Sequence, residues 1–431
     1  MLKRKNIFLI IISAALYALS FIVHYLWWTI LIFIIPLFKR NLNFFNGFLW
    51  GLCAFGTHAS GILYATIRMQ NGTSLVGFLP SILIVIYLAL HAGIWFFFLE
   101  KVKIFSERSL LYGVATSLIH TLFFWYISYL CLWPLIGMQG YPFLNPLLPL
   151  TQSHLCLLII SFTGLIGSFF VLFFLCFFIS CCNKKNSRIF CIAIIFSLHI
   201  PLPRAQNMPN WIKFIAPFQM QFSSTKNSTV PLEYLRAFIQ ANSHKKIFIT
   251  PESAFYCHDI FNNNTISTLQ IPDTTCILGS FTHTQNHRYN SLYLIKQGTL
   301  SRVHHKQHAL ALTESLPSWC TASWIEQLHD KKTFITAAPL KHDIWTIQSK
   351  KIEPYTCSEF FCHPKPMHPL KKESSILLCC NDSWFIEWTS YVSNLMIADA
   401  QLKAVLWNTD IIYVGYQKAL FITKKSLQYP L

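Results

Sequence analysis

The sequence predicts a multi-pass α-helical membrane domain over residues 1–205, followed by an α/β domain over residues 206–431. Three observations carry this. Hydrophobic residues make up 53% of the chain and charged residues only 12%, too few charges to coat a water-soluble globule of this size. Apolar runs before residue 205 approach the thickness of a bilayer's hydrocarbon core, whereas those beyond it shorten to strand length. Charge is also uneven: 13 Lys and Arg with 2 Asp and Glu up to residue 205, and 21 with 15 after it, so the net +17 divides as +11 and +6. The excess sits in short tracts between apolar runs, as a bilayer imposes, and nucleic acid is set aside as a partner.

Seven apolar runs read as spans: Ile7 to Ser20, Leu26 to Phe38, Phe45 to Ala65, Gly77 to Leu99, Leu110 to Trp133, Leu155 to Cys181 and Ile189 to Leu202. The first follows the basic Lys3, Arg4 and Lys5 without a small-residue cleavage site, which favours a retained helix over a signal peptide. Alternate connections then carry eleven Lys and Arg (Lys3, Arg4, Lys5, Lys39, Arg40, Lys101, Lys103, Arg108, Lys184, Lys185, Arg188), while the opposite set carries Arg68 alone. Cationic loops resist translocation, so the amino terminus is expected in the cytoplasm. An odd number of spans delivers everything after Pro203 to the far side.

From Gln206 onward the runs are those of an α/β domain. Lys246 to Thr250, Cys276 to Phe281, Ser291 to Ile295, Thr299 to Val303 and Ile376 to Cys380 read as strands, with Gln297 and Gly298 as a hairpin turn. Ser390 to Leu406 reads as a helix with Val392, Leu395, Met396, Leu402 and Val405 near one face. The 14 cysteines divide evenly. Those of the membrane half, such as Cys53, Cys131 and Cys176, read as small apolar packing residues. The other seven are Cys257, Cys276, Cys320, Cys357, Cys362, Cys379 and Cys380, an odd number that leaves at least one thiol unpaired in an oxidising compartment and equally fits several reduced buried thiols.

Three segments place a reactive side chain just beyond a strand. They are Phe248-Ile249-Thr250-Pro251-Glu252-Ser253-Ala254-Phe255, Arg302-Val303-His304-His305-Lys306-Gln307-His308 with Glu314 following, and Pro354-Tyr355-Thr356-Cys357-Ser358-Glu359-Phe360. A thiolate attacks and leaves readily, so Cys357 is the candidate nucleophile of a two-step acyl transfer. Glu252 is then the general base and acid. Lys306 supplies a fixed cation that stabilises an oxyanion and lowers a thiol pKa. At this level Glu252 and Lys306 also fit an ordinary ion pair, and Cys357 a disulfide with Cys362. His304, His305 and His308 lack a local acidic or thiol fourth ligand and read as a solvated or substrate-facing cluster rather than a zinc site. Cys379 and Cys380, in an apolar strand, read as packing or pairing residues rather than the nucleophile.

The order Pro-Glu-Ser-Ala-Phe, His-Lys-Gln-His, Cys-Ser-Glu and then Asn381-Asp382-Ser383-Trp384-Phe385 resembles the nitrilase (carbon-nitrogen hydrolase) superfamily with its Glu-Lys-Cys triad. With the membrane half, it resembles the apolipoprotein N-acyltransferase family. The resemblance implies a nitrilase-type αββα sandwich on the periplasmic side of a bacterial inner membrane, with Glu314 supporting the lysine and Glu359 the cysteine environment. It further implies a phospholipid acyl donor, a lipid-modified apolipoprotein acceptor, and no metal or organic cofactor. The chain departs from the family pattern at Ser358, at Leu310-Ala311-Leu312-Thr313, at Gln401, Lys403 and Leu406, and in ending at Leu431 without a closing membrane helix. Those departures keep a divergent relative of the kind found with conjugative-transfer systems beside the main reading.

Overall fold

A computed structural model describes the chain except residues 1–3, 39–41, 70–74, 103–104, 106–108, 133–140, 182–188, 190–192, 194–196, 198–207, 219–231, 256–272, 285–286, 311–313, 316–334, 364–365, 367–369, 371–372, 384, 386–389 and 426–427. Its amino-terminal half is helical and its carboxy-terminal half is a mixed-sheet α/β region. The chain divides into two compact units, one made of Met1–Pro203 with Phe385–Leu402 and the other of Arg204–Trp384 with Lys403–Leu431.

The helical unit contains α1 (Arg4–Ile22), α2 (Phe44–Met69), α3 (Leu75–Lys101), α4 (Leu110–Tyr129) and α5 (His154–Cys181). Among the described residues, Ser81–Lys101, Leu110–Tyr129 and His154–Cys181 are long and apolar enough to cross a membrane. Ser109 caps α4, its hydroxyl accepting from Tyr112 N at 3.1 Å. Gly47 and Gly51, one turn apart on α2, meet α3 so closely that a Cβ would lie 2.3 Å from Ala92 O and 2.7 Å from Ala89 Cα. Small residues at that spacing let helix backbones approach where hydrophobic driving force is absent. The expected span Leu26 to Phe38 is instead two short 3₁₀ pieces, His24–Leu31 and Ile35–Leu37, broken near Pro36. Thr29 Oγ1 donates to Leu16 O at 2.8 Å and ties this segment back onto α1. At about 2 Å rise per residue, the eight-residue piece is too short to span. Most of the expected span Ile189 to Leu202 lies outside the described residues, as do Lys3, Lys39, Arg40, Lys103, Arg108, Lys184, Lys185 and Arg188.

The α/β unit holds two mixed sheets. The first runs β1 (Ile215–Pro217), β2 (Ile247–Ile249), β3 (Thr275–His283), β4 (Arg288–Lys296), β5 (Thr299–His305). In the second the spatial order is β11 (Gln428–Pro430), β10 (Ala419–Ile422), β9 (Ile411–Val414), β8 (Ser374–Cys379), β7 (Lys350–Thr356), β6 (Trp345–Ile347). Strands β1, β2 and β3 pair in parallel, as do β7, β8 and β9; the remaining pairs are antiparallel. One core cluster joins the sheets: Ile247, Ile249, Ile277, Leu292 and Leu294 from the first meet Trp345, Ile352, Leu377, Ile412, Val414 and Phe421 from the second. Phe248, Leu278 and Tyr293 alternate to the outer face and pack on Leu235 and Ile239 of α6 (Leu232–Ala241). Both faces of these strands are buried, so their sequences are nearly continuous apolar runs. Gln297 and Gly298 form the expected hairpin turn, both with positive φ, 49° and 74°.

Helix α8 (Ser390–Leu406) has the expected bounds but not the expected one-sided burial. Asp399, Gln401 and Lys403 are buried along with the apolar positions.

Candidate active site

Each reactive side chain stands where a strand of the α/β unit ends. Beyond β2, Thr250 N donates to Ile277 O at 2.9 Å, and the chain turns at Pro251, Glu252 and Ser253, the last in the left-handed region at φ 57°. This turn lies directly on β3. A Cβ on Gly279 would sit 2.0 Å from Pro251 O and 2.9 Å from Glu252 Cα, so glycine is what lets the Glu252 turn close. Gly279→Ala should therefore displace Glu252 by a fraction of an ångström or more. The folded variant is expected to lose about 10²-fold in kcat, measured beside a thermal melt that separates the effect from global unfolding.

Glu252 is buried and fully engaged. Its Oε1 accepts from Lys306 Nζ at 2.8 Å and from Asn290 Nδ2 at 2.7 Å, and its Oε2 accepts from Asn381 N at 3.1 Å. Lys306, just past β5, also donates to Glu314 Oε1 at 2.8 Å; Glu314 Oε2 accepts from Leu310 N at 2.7 Å. Asn290 holds both partners, since its backbone carbonyl accepts from Lys306 N at 2.7 Å. Burial pushes the Glu252 carboxyl above the ordinary carboxylate range, against the pull of Lys306. For Lys306, burial opposes the charged form, but Glu252, Glu314 and then the Cys357 sulfur outweigh it and hold the ammonium well above its usual value. The outcome is a permanent cation beside a carboxyl poised to exchange a proton.

Cys357 stands between the end of β7 and the short helix α7 (Ser358–Phe361). Its backbone is strained, at φ 33° and ψ −100°, and its N–H donates to Cys379 O at 3.0 Å on the neighbouring strand. A non-glycine residue in such a conformation costs on the order of 1–3 kcal/mol and persists only where its surroundings enforce it. Cys357 is partly exposed and is not joined by a disulfide to the buried Cys362.

Glu359 enforces the arrangement around both Lys306 and Cys357. Fully buried, it accepts from Gln307 N, next to Lys306, and from Thr356 N at 2.7 Å and Thr356 Oγ1 at 2.8 Å, next to Cys357. Burial raises its pKa, but the His304 charge and these donors prevail and hold it below the ordinary value. Here the structure corrects the expectation for His304 alone among the three histidines. Rather than a solvated cluster, His304 is buried between Asp343 (Nδ1 to Oδ2, 3.0 Å) and Glu359 (Nε2 to Oε2, 3.1 Å). His305 meets Ser291 Oγ at 2.7 Å, and the His308 ring packs edge-on against His363 at 4.4 Å. Burial opposes protonation of His304, but Glu359 and then Asp343 raise its pKa to about 9.

Because the folded protein keeps that imidazole proton to about pH 9 and an unfolded chain only to 6.5, the His304 proton contributes its full stabilisation below pH 6.5 while Glu359 and Asp343 remain ionised. Its contribution, on the order of 3 kcal/mol, is lost as pH rises through about 9. Urea denaturation across this range should show the parent's midpoint falling with pH and a His304→Gln variant's midpoint nearly flat.

Of the residues expected in the site from the sequence, Glu252, Lys306 and Glu314 lie in one hydrogen-bonded cluster, Cys357 interacts electrostatically with Lys306, and Glu359 bonds to the backbone beside both Lys306 and Cys357. Sequence reasoning missed Asn290, Gly279, Asp343 and the contact of Cys380 with Cys357. The departures have structural roles as well. Ser358 is buried and donates to His308 O at 2.6 Å, and Lys403 Nζ donates to Phe360 O at 2.7 Å and Phe361 O at 3.0 Å, anchoring α7. Gln401 is buried and Leu406 half-buried. Cys257, Cys320, Trp384 and residues 311–313 lie outside the described residues.

No family profile matches the chain, and no curated protein matches it by sequence. By structure it is similar to a glutamine-dependent NAD+ synthetase from Acinetobacter baumannii, at 14% identity and TM-score 0.32 over 46% of this chain and 40% of that one. It is likewise similar to a nitrilase-superfamily amidase from Nesterenkonia, at 10% identity and TM-score 0.35 over 50% of this chain and 85% of that one. A glutamine-dependent NAD+ synthetase from Cytophaga hutchinsonii matches at 13% identity and TM-score 0.32 over 46% and 36%. The chain thus spans under half the length of either synthetase. Identities and scores this low leave the functional reading to the chain's own residues.

Proposed function

We propose that the chain is a nitrilase-type acyltransferase of the apolipoprotein N-acyltransferase kind, with a Glu-Lys-Cys triad of Glu252, Lys306 and Cys357. The observation that carries this reading is the buried Glu252–Lys306 pair, with the partly exposed Cys357 on a strained backbone at the end of a third strand and its sulfur interacting electrostatically with Lys306. Glu252 takes the thiol proton as Cys357 attacks an acyl ester of a phospholipid. Lys306 stabilises the tetrahedral oxyanion, and the ester bond breaks to release a lysophospholipid, whose leaving oxygen receives the proton. The resulting thioester is then attacked by the α-amine of a diacylglyceryl-cysteine apolipoprotein, whose proton passes through Glu252 to the departing Cys357 sulfur. Both substrates reside in a bilayer, which fits a catalytic domain carried on apolar helices. The proposed location is a bacterial inner membrane with the α/β domain, about residues 206–431, on the periplasmic side, the placement that the family resemblance implies.

Complementation of a strain depleted of its own apolipoprotein N-acyltransferase tests the proposal. Rescue by the parent and not by Cys357→Ala is the expected result. If neither rescues, the acceptor is wrong. The buried Ser358 and Lys403, which depart from the family pattern beside the nucleophile, then favour a divergent membrane-anchored relative associated with conjugative transfer, acting as an amidase or acyltransferase on another substrate.

A further inference from the structure

A second sulfur stands beside the nucleophile. In the parallel register of β7 and β8, Thr356 pairs with Cys379, and Cys357 N donates to Cys379 O at 3.0 Å, which makes Cys357 and Cys380 the next facing pair. Adjacent strands run about 4.8 Å apart, within the backbone separation that a disulfide accepts. Parallel neighbours in register also present their side chains to the same face, and the Cys357 sulfur lies near enough to raise the pKa of Cys380. Both sulfurs are free thiols, but only Cys357 is reachable from solvent; Cys380 is fully buried.

We propose that Cys357 and Cys380 form a reversible redox pair, a modification site at which a disulfide oxidant converts the nucleophile to an internal disulfide and a thiol reductant restores it. The Cys357 sulfur attacks an external disulfide, forming a mixed disulfide and releasing one thiol that carries away the Cys357 proton. The Cys380 sulfur then attacks the Cys357 sulfur, breaking the mixed disulfide; the second external thiol leaves with the Cys380 proton. Two protein thiols are oxidised and one external disulfide is reduced to two thiols. The internal bond also shields the nucleophile from sulfenic and sulfinic acids, the latter irreversible for most proteins. Burial and then the neighbouring Cys357 sulfur raise the Cys380 pKa well above the ordinary thiol value, so Cys380 rests protonated.

The test exposes the full-length chain, in detergent, to glutathione disulfide and maps the digest by mass spectrometry. A Cys357–Cys380 cross-link lacking two hydrogens is expected, with loss of Cys357 alkylation by iodoacetamide, and both reversed by dithiothreitol. Cys380→Ala should stop at a glutathione adduct on Cys357, whereas Cys379→Ala should still form the cross-link. A persistent glutathione adduct in the parent, a bond from Cys357 to Cys362 or Cys379, or no oxidation of Cys357 overturns the proposal; the parent's digest decides alone if a variant fails to fold. The readout is mass rather than turnover, so failure of the acyltransferase reading is a separate result.

Discussion

Lys306→Met is expected to reduce acyl transfer by about 10³-fold and to destabilise the α/β unit by about 3–5 kcal/mol, because it removes a cation bonded to two carboxylates in a buried site. The two losses have different origins. Stability falls because Glu252 and Glu314 are left facing each other without charge compensation, and one of them must take up a proton. Activity falls because no fixed positive charge remains for the oxyanion. Adding Glu314→Gln to Lys306→Met should recover a large share of the stability and almost none of the activity. Urea unfolding and turnover on a fluorescent phospholipid, run on both variants, separate the two effects.

Glu252→Gln is expected to cost about 10²–10⁴-fold in turnover with a much smaller change in stability, since only proton transfer is removed outright. The amide oxygen can still accept from Lys306 Nζ and Asn290 Nδ2, but its NH₂ then faces the Asn381 N–H that Oε2 now accepts from, so a modest destabilisation accompanies the kinetic loss. Cys357 should remain alkylatable in this variant, with a rate that no longer follows titration of a neighbouring carboxyl. A Glu252→Gln enzyme with near-parental turnover would remove the general base from the account.

How far the sequence reveals this molecule depends on which forces leave a local trace. Long apolar runs and charge asymmetry made the helical half legible, yet the short Leu26 to Phe38 run looked like a span, because hydropathy alone does not register the break near Pro36. Strands β2 to β5 of the first sheet were readable as apolar runs ended by turns, whereas the three-residue β1 was not. Strand β7 was legible only as a strand end before Cys357, without bounds, since Glu353 and Pro354 argue against a strand. The structure accommodates both: β6 pairs only with Lys350 to Ile352, so the missing N–H of Pro354 faces no antiparallel neighbour, and Glu353 is satisfied by Ser374 Oγ at 2.8 Å and His342 Nε2 at 3.1 Å.

In the site, Glu252, Lys306 and Cys357 were visible because each follows a strand in a recognisable short motif. Asp343 and Asn290 carry no such motif; only the fold brings Asp343 to His304, 39 residues away in sequence, and Asn290 to Glu252, 38 away. The importance of Gly279 is equally nonlocal, residing in the approach of a different loop to β3.

Intact-mass analysis of the full-length protein incubated with phospholipid, followed by peptide mapping with and without neutral hydroxylamine, tests the central claim most directly. An acyl group is expected on Cys357 alone, labile to hydroxylamine as a thioester is and absent from Cys357→Ala, with lysophospholipid released in equal amount. An acyl group on another residue, or lysophospholipid formed at the parental rate by Cys357→Ala, would contradict the account.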